Sequence, residues 1–492
     1  MVRKEVLYIY FLSFGVLTFK SFESPYFPFL LTATLILFTA YALRFRWQEL
    51  LPGALIVAAL LGLLSLFSPT KAQLNRVEWI KELPGHRRVA LLNGGRWIGL
   101  KDERVEVGDV VSQEGELLAK SDSITAELLR LRYSLYKKIE EKIDYPVSAV
   151  VGACTLGVRY ELPYSTRGYF ALSGLYHFLA ISGLHVGVVV GALAGLLKLL
   201  KFRRPITTAS LLILPLMPLT GLPPSAVRAY LFILLLGLGV EEFRKISPLY
   251  LLGVVMLITT LFEKFNLSAT LSFLAVGGII LQAEAPGSRL EKGLRVAAAP
   301  FLFTLPVILH AFGTVNSASW VSTVLVGFVF SPFLVLSFLS QITALKVDSI
   351  NSATQLLGEL FIRATQLSFF KTKWWIIHSE ISLTLAGITL LTTLALITLG
   401  RKRLSLLPLA LLLLYAAFNQ TVVRGKELKV EGWRLNSFRF VTTEGQRYEE
   451  CRIYGTYVMP ATRKLLFKSS LIDARLKELE RGLITLEEKR GK

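Results

Sequence analysis

Residues 177–187 read HFLAISGLHVG, two histidines, a serine and two glycines set in an apolar run. With its flanks the run extends over 169–200, and crossing the hydrocarbon core of a bilayer takes about 20 apolar residues. Polar and ionisable groups at that depth are costly and normally face a bundle interior or a water-filled cavity. The stretch therefore raises a choice between chemistry, a wet path, and simple packing of polar groups around a glycine kink.

Working outward, the chain has 492 residues, of which 53% are hydrophobic, well above the share in a soluble domain. Further apolar runs lie near 25–43, 49–68, 206–220, 224–240, 248–262, 266–283, 296–311, 319–345, 381–400 and 404–419, with a shorter one at 7–19. The fold class expected is an α-helical polytopic membrane protein with about 11–12 membrane segments, some of them re-entrant, carrying a small extracytoplasmic β unit. The opening MVRKEVLYIYFLSFGVLTFKS has a basic leader but no small-x-small cleavage site, so it reads as a retained first helix. The formal net charge of +20 points to nucleic acid or anionic lipid, although the positive-inside bias accounts for much of it. Two cysteines, Cys154 and Cys451, exclude a disulfide scaffold and a zinc ribbon; they read as unpaired thiols, with a bridge on the outer face as the alternative.

Basic residues orient the segments. Arg3 with Lys4, Arg44 with Arg46, Lys198 to Arg204, Arg244 with Lys245, Arg289 to Arg295 and Arg401 to Arg403 mark inner loops, which puts 70–145 outside. Four regions follow: N-terminal membrane helices 1–69, an outer β unit with a helix 70–145, a second membrane region 146–419, and a soluble basic tail 420–492 with a charged helical end from about Leu471. Segment 346–380 is too polar for an ordinary span and reads as amphipathic or re-entrant.

In the outer region, RRVALLNGGRWIGLK alternates on both sides of Asn-Gly-Gly, a hairpin signal, and VEVGDVVSQEGELLAK supplies two further strands. A small closed barrel of the oligonucleotide-binding (OB-like) type fits this pattern. Arg96 shares a face with Ile98 and Leu100, and Trp97 shares the other with Lys101. An aromatic beside basic residues can stack a base and neutralise phosphate, whereas the bland reading is a solvated sheet face with one packed tryptophan. The region's acidic and basic residues nearly balance, so bulk charge favours neither.

Within the opening stretch, His177 and His185 would lie towards one face of a continuous helix, but about 12 Å apart along its axis, too far to share a metal. Ser182 and His185 are close enough in sequence to hydrogen bond, which raises an intramembrane hydrolase or acyltransferase with Ser182 as nucleophile. No acidic residue stands near to orient the histidine. A second anomaly is LTGLPPSAVRAYLF at 219–232: Pro223 and Pro224 break the chain, Ser225 can cap the next helix, and Arg228 falls in its first turn at membrane depth. Such a helix start also offers N–H groups to a phosphate.

GLYHFLAISGLHVGVVVG, TGLPPSAVRAYLF and NLSATLSFLAVGGII, in that order, resemble the three recognisable blocks of the ComEC-type competence family, DNA internalisation channels of the bacterial cytoplasmic membrane. The likeness covers about 147–345. It implies a multi-pass channel in that inner membrane, importing single-stranded transforming DNA, and it points to His177, Ser182, Gly183 and His185, then Gly221, Ser225 and Arg228, then Leu271, Ser272 and Phe273. Thr270 stands where the family usually has glutamine. Many members also carry a metallo-β-lactamase-like nuclease domain. No H-x-H-x-D-H motif occurs here and the chain holds five histidines, so neither a metal site nor a cofactor is expected and the nuclease is expected on a separate chain. No phosphate-loop motif is present, so the chain cannot supply ATP-driven force by that route; the resemblance implies a cytosolic ATP-driven motor, along with an external DNA receptor or pilus. A small-solute transporter is a third reading, but the inverted repeats it favours are not visible.

Overall fold

The computed structural model describes residues 4–20, 27–42, 75–83, 87–93, 97–112, 114–121, 123–241, 246–262, 266–379, 381–419 and five strands between 428 and 468. The expected span at 49–68, Arg44 with Arg46, Arg96, Arg244 with Lys245, and the helical end from Leu471 lie outside the described residues, as do the side chains of Trp97 and Cys451.

The chain is mostly helical. α1 (Lys4–Lys20) and α2 (Phe27–Ala42) precede the outer strands; α3 (Ile124–Lys142) and the short α4 (Val147–Val151) lead into the membrane region. There follow α5 (Tyr164–Leu172), α6 (Gly183–Leu199), α7 (Pro205–Ile213), α8 (Pro224–Glu241), α9 (Pro248–Phe262), α10 (Leu267–Glu284), α11 (Arg289–Phe312), α12 (Ser319–Ile342), α13 (Asp348–Thr372), α14 (Leu383–Thr398) and α15 (Leu406–Phe418). Among the described residues four helices, α8, α10, α11 and α12, are long and apolar enough to cross a membrane, and shorter apolar helices accompany them.

Two expectations are corrected and a third is narrowed. The run 169–200 is not one helix: α5 stops, Gly174 turns left-handed at φ +74°, a 3-10 turn spans Tyr176–Phe178, and α6 starts only at Gly183. His177 and His185 therefore do not share a helix face. The run 206–220 holds one short helix, after which Pro215 and Pro218 each remove a backbone donor and the chain continues in 3-10 turns at Leu214–Leu216 and Pro218–Thr220. Segment 346–380, expected to be amphipathic or re-entrant, contains one uninterrupted helix, α13. It runs antiparallel to α12, with Ser340 Oγ donating to Asn351 Oδ1 near one end and Ser368 Oγ to Ser322 Oγ (2.7 Å) at the other. Asn351, Thr354, Gly358, Phe361, Ile362, Thr365 and Phe369 are its buried side, the spacing of an amphipathic helix.

Most buried hydroxyls in these apolar helices are satisfied by their own helix. Ser210 donates to Ile206 O, Thr259 to Val255 O, Thr365 to Phe361 O and Thr393 to Thr389 O, each four residues back. Bonds between elements are thus the informative ones. At one end of the bundle Glu241, closing α8, accepts from the N–H groups of Ile206 (2.8 Å) and Thr207 (3.1 Å), and Lys402 pairs with Glu284 at the end of α10 (2.6 Å). The basic loops 198–204, 289–295 and 401–403 gather there, while the first turns of α8 and α10 meet at the other end.

The region expected outside, 70–145, forms a three-stranded antiparallel sheet, β1 (Val77–Leu83), β2 (Arg87–Leu92) and β3 (Trp97–Gly99), and a hairpin of β4 (Val110–Val111) and β5 (Leu117–Ala119). Val77 N donates to Asp109 O (2.8 Å) and Val111 N to Asn75 O (3.0 Å), tying β4 to the start of β1. Lys101 N donates to Gly115 O (3.1 Å), tying the end of β3 to the β4–β5 turn. The strands so joined enclose Val77, Ile80, Ala90, Leu92, Ile98, Val105, Val107 and Val111. Asp109, fully buried, accepts from Arg130 Nη2 of α3 (3.2 Å), which holds the helix to the sheet. Trp79 of β1 is 2% exposed, packs edge-on against Tyr133, Tyr136 and Tyr160, and donates to Glu161 (3.0 Å). One hydrophobic cluster runs from Trp79 and Leu91 through Tyr136, Ile139 and Val147 to Phe178, Phe330 and Phe361, across the boundary expected at 145.

Beyond α15 lies a five-stranded antiparallel meander, β8 (Leu428–Arg434), β9 (Ser437–Thr442), β10 (Arg447–Tyr454), β11 (Tyr457–Pro460) and β12 (Phe467–Lys468). The short pair β6 (Thr314–Asn316) and β7 (Ile376–His378) joins the ends of α11 and α13.

Candidate functional site

The polar residues of the opening stretch meet at the start of α6. Ser182 is extended, φ −139° and ψ −179°, and is the residue from which the helix begins. Its backbone N–H donates to His185 Nδ1 (3.3 Å) and its Oγ lies 3.1 Å from the same nitrogen. A side chain in the first turn reaching back to the capping residue is the reciprocal geometry of a helix N-terminus. Nδ1 is the acceptor for a main-chain donor, which places the ring proton on Nε2. His185 is buried, with its ring nearly perpendicular to Phe330 at 5.1 Å, and no carboxylate among the described residues bonds to it. A serine nucleophile needs a base whose second nitrogen is held by an orienting group; here one ring nitrogen serves the cap and the other faces apolar surroundings.

His177 sits apart from this pair. It lies in the 3-10 turn, exposed, with Nδ1 3.2 Å from Gly174 O and its ring 4.5 Å from that of Phe178. Cys154, a free thiol, is buried beneath it and donates to Phe178 O (3.2 Å).

Gly183 is required by a close approach of two helices. A Cβ there would stand 3.2 Å from Ala229 Cβ on α8, and one at Gly187 would stand 4.0 Å from Ile233. Further along, Gly191 and Gly195 have nothing within 4 Å. α6 and α8 thus touch at their first turns.

Ser225 lies inside the first turn of α8, not ahead of it as a cap. Its Oγ donates to the carbonyl of Ile181 (2.9 Å), a backbone group left open by the break before α6. Arg228 is 2% exposed, donates from Nη2 to Ser268 Oγ on α10 (3.0 Å) and stands 5.8 Å from the ring centre of Phe273. An arginine in a bundle interior needs such acceptors and ring faces to offset its desolvation. Gly221 ends the preceding 3-10 turn at φ +80°.

In the third block the contact to Arg228 is made by Ser268 and Phe273. Ser272 is half-buried on α10 without a side-chain hydrogen bond, and Thr270 Oγ1 donates to Asn266 O (3.1 Å). The signal for Ser268 was present in the sequence: Asn266 caps α10 through Ala269 N (2.8 Å), which puts Ser268 in a first turn, level with Arg228 in the corresponding part of α8. In the outer region Lys101 is exposed and pairs with Glu114 (2.9 Å) and Glu116 (3.4 Å), so its charge is shared with two carboxylates. Among the described residues no group of three or more His, Cys, Asp or Glu is placed to hold a metal ion.

The assembled arrangement is a joint at which the starts of α6, α8 and α10 exchange polar contacts inside an apolar bundle. The family described as Competence protein matches residues 154–418, which takes in all three. Over 204 residues the chain is 27% identical to ComE operon protein 3 of Bacillus subtilis (strain 168), covering 39% of this chain and 26% of that protein. Over 250 residues it is 28% identical to an uncharacterized protein of Aquifex aeolicus (strain VF5), covering 50% of this chain and 59% of that one. The chain thus spans less than two thirds of the length of either relative. No solved structure matches.

Proposed function

Because the chain belongs to the Competence protein family, we propose that it is a multi-pass channel of the bacterial cytoplasmic membrane that imports single-stranded transforming DNA. The observation that carries the reading is the polar joint: the start of α6, the Ser225–Ile181 contact and the Arg228–Ser268 bond bring the starts of α6, α8 and α10 to one level of the bundle. A polyanion one strand wide needs a path lined by scattered donors, each weak enough to release it. Broken helices supply open backbone groups without a permanent charge at each step. The outer strands act as an OB-like capture unit, with Arg96, Trp97 and Lys101 as its strand contacts. A cytosolic ATP-driven motor, an external receptor or pilus and a separate nuclease complete the pathway, and no catalytic residue is assigned to this chain.

The competing reading is an intramembrane hydrolase or acyltransferase using Ser182 and His185. The double engagement of His185 Nδ1 by the hydroxyl and the backbone of Ser182 favours a cap over a nucleophile. The test is entry of labelled DNA into the cytosol of a deletion strain complemented with variants, each checked for membrane insertion. Arg228→Ala should abolish or sharply slow entry, because it removes the brace to α10; Arg228→Lys should retain part of it, as a point charge without the planar fork. Ser182→Ala should impair but not eliminate entry. Normal DNA entry in Arg228→Ala, together with loss of a hydrolytic activity in Ser182→Ala, would replace the channel with the enzyme.

A further inference from the structure

Arg132 of α3 is half-buried, and among the described residues it makes no hydrogen bond and no ion pair; its Nε is shielded from solvent with no acceptor. Every other feature around it is built for close approach. A Cβ on Gly221 would lie 3.1 Å from Nη1, and a Cβ on Gly157 would lie 3.4 Å from Nη2. Both glycines are left-handed, at φ +80° and φ +73°, so the two loops present bare backbone to the guanidinium. The position of a Gly157 Cβ is also 3.0 Å from Thr220 O and 3.5 Å from Ile181 Cδ1. The guanidinium therefore sits where the helix of the outer unit meets the loops that hold Ser225 and the start of α6. Its electrostatic neighbours are Glu78 and Tyr160, neither of which pairs with it.

A partly buried guanidinium whose Nε has no acceptor is costly, and its fork matches the oxygens of a phosphate better than any other common ligand group. We propose that Arg132 is a phosphodiester-binding group, taking one backbone phosphate of single-stranded DNA as the strand passes from the outer strands to the broken helices. This rests on the channel reading above. Recognition here is of phosphate alone, so it is independent of base sequence. A side chain at Gly157 or Gly221 would crowd the guanidinium from its loop.

The test uses the full chain in phosphatidylcholine nanodiscs and a fluorescent single-stranded oligodeoxynucleotide, with affinity followed against salt. Each phosphate contact on a single strand contributes about 0.7 to the slope of log K against log salt. Arg132→Gln should lower the slope by about that amount and weaken oligo-dT, oligo-dA and oligo-dC alike; Arg132→Lys should fall between it and the unaltered protein. An oligomer with neutral methylphosphonate linkages should not distinguish Arg132→Gln from the unaltered protein. An unchanged slope in Arg132→Gln overturns the assignment, whether or not affinity or thermal stability falls, because a structural arginine would not alter counterion release. Loss of the difference between the two proteins when phosphatidylglycerol is added to the disc assigns the site to lipid and overturns it as well. If the unaltered protein binds no oligonucleotide at all, the channel reading itself fails.

Discussion

Gly174→Ala, at the head of the first block, should destabilise the protein by an amount that separates into two parts. The backbone there is left-handed at φ +74°, which costs an alanine about 1–2 kcal/mol. The added Cβ would also stand 2.4 Å from Ser319 Cβ and 3.2 Å from Ser319 Oγ, at the start of α12, and overpacking of that kind costs about 1–3 kcal/mol. The total is therefore about 2–5 kcal/mol. Ser319→Gly removes both contacting atoms and leaves Ser319 Cα at 3.7 Å, an ordinary contact. On its own it should cost about 0.5–1 kcal/mol, as glycine does in a helix. In the double variant the steric part should vanish while the backbone part remains, giving a favourable coupling of about 1–3 kcal/mol. The assay is denaturant unfolding of the four proteins in one detergent. Additivity within about 0.5 kcal/mol would mean that Gly174 is not seated against α12, and the account of why a glycine opens this block would be wrong.

Trp79→Phe should keep most of the aromatic packing but lose the bond to Glu161, a loss of about 1.5–3 kcal/mol for a charged acceptor, whereas Trp79→Ala should cost about 3–5 kcal/mol or more; equal unfolding midpoints for the phenylalanine variant and the parent would sink the argument. Burial holds the Glu78 carboxyl above its ordinary range, with Arg132 partly opposing the shift. Its folded pKa thus exceeds the unfolded one, so its contribution to stability is present below the usual carboxylate pKa and is lost as pH rises through the folded value. Glu78→Gln should flatten that part of the stability profile, and superimposable profiles would count against it. Lys101 shares its charge with Glu114 and Glu116, so on the channel reading Glu114→Gln with Glu116→Gln should tighten oligonucleotide binding by the full chain, and adding Lys101→Ala should remove that gain; an unchanged affinity in the double glutamine variant would show that the glutamates do not mask it.

The legible parts of this fold were those with a short period. The alternation in RRVALL and WIG yielded the β2–β3 hairpin, and the apolar runs became α8 to α12 and their neighbours with modest changes at the ends. What hydropathy did not reveal was where an apolar run stops being helical. Residues 169–200 look continuous because Gly174 and Ser182 scarcely lower the local average, yet one turns left-handed and the other restarts the helix. The meander from β8 to β12 was read as a plain tail, although SFRFVT alternates; its charged residues drew attention to the helical end instead. For the site, residue types were visible and partners were not. Ser225 was read as a cap but donates to Ile181 O, and Ser268 rather than Ser272 meets Arg228, because which of two serines on α10 faces α8 depends on helix rotation.

The aromatic cluster around Trp79 bears on how the molecule can be taken apart. Tyr133 and Tyr136 precede residue 145, whereas Tyr160 and Glu161 follow it. A fragment ending at 145 would carry away the tryptophan with part of its cage and uncover an oily face that water normally never wets. Such a piece would tend to clump, and a weak or sticky oligonucleotide signal from it would report on that wound rather than on the sheet. An excision that keeps residues through Leu162 retains all four partners of the tryptophan, but it strips Val147 from its seat against Gly358 of α13 and uncovers an apolar face there instead.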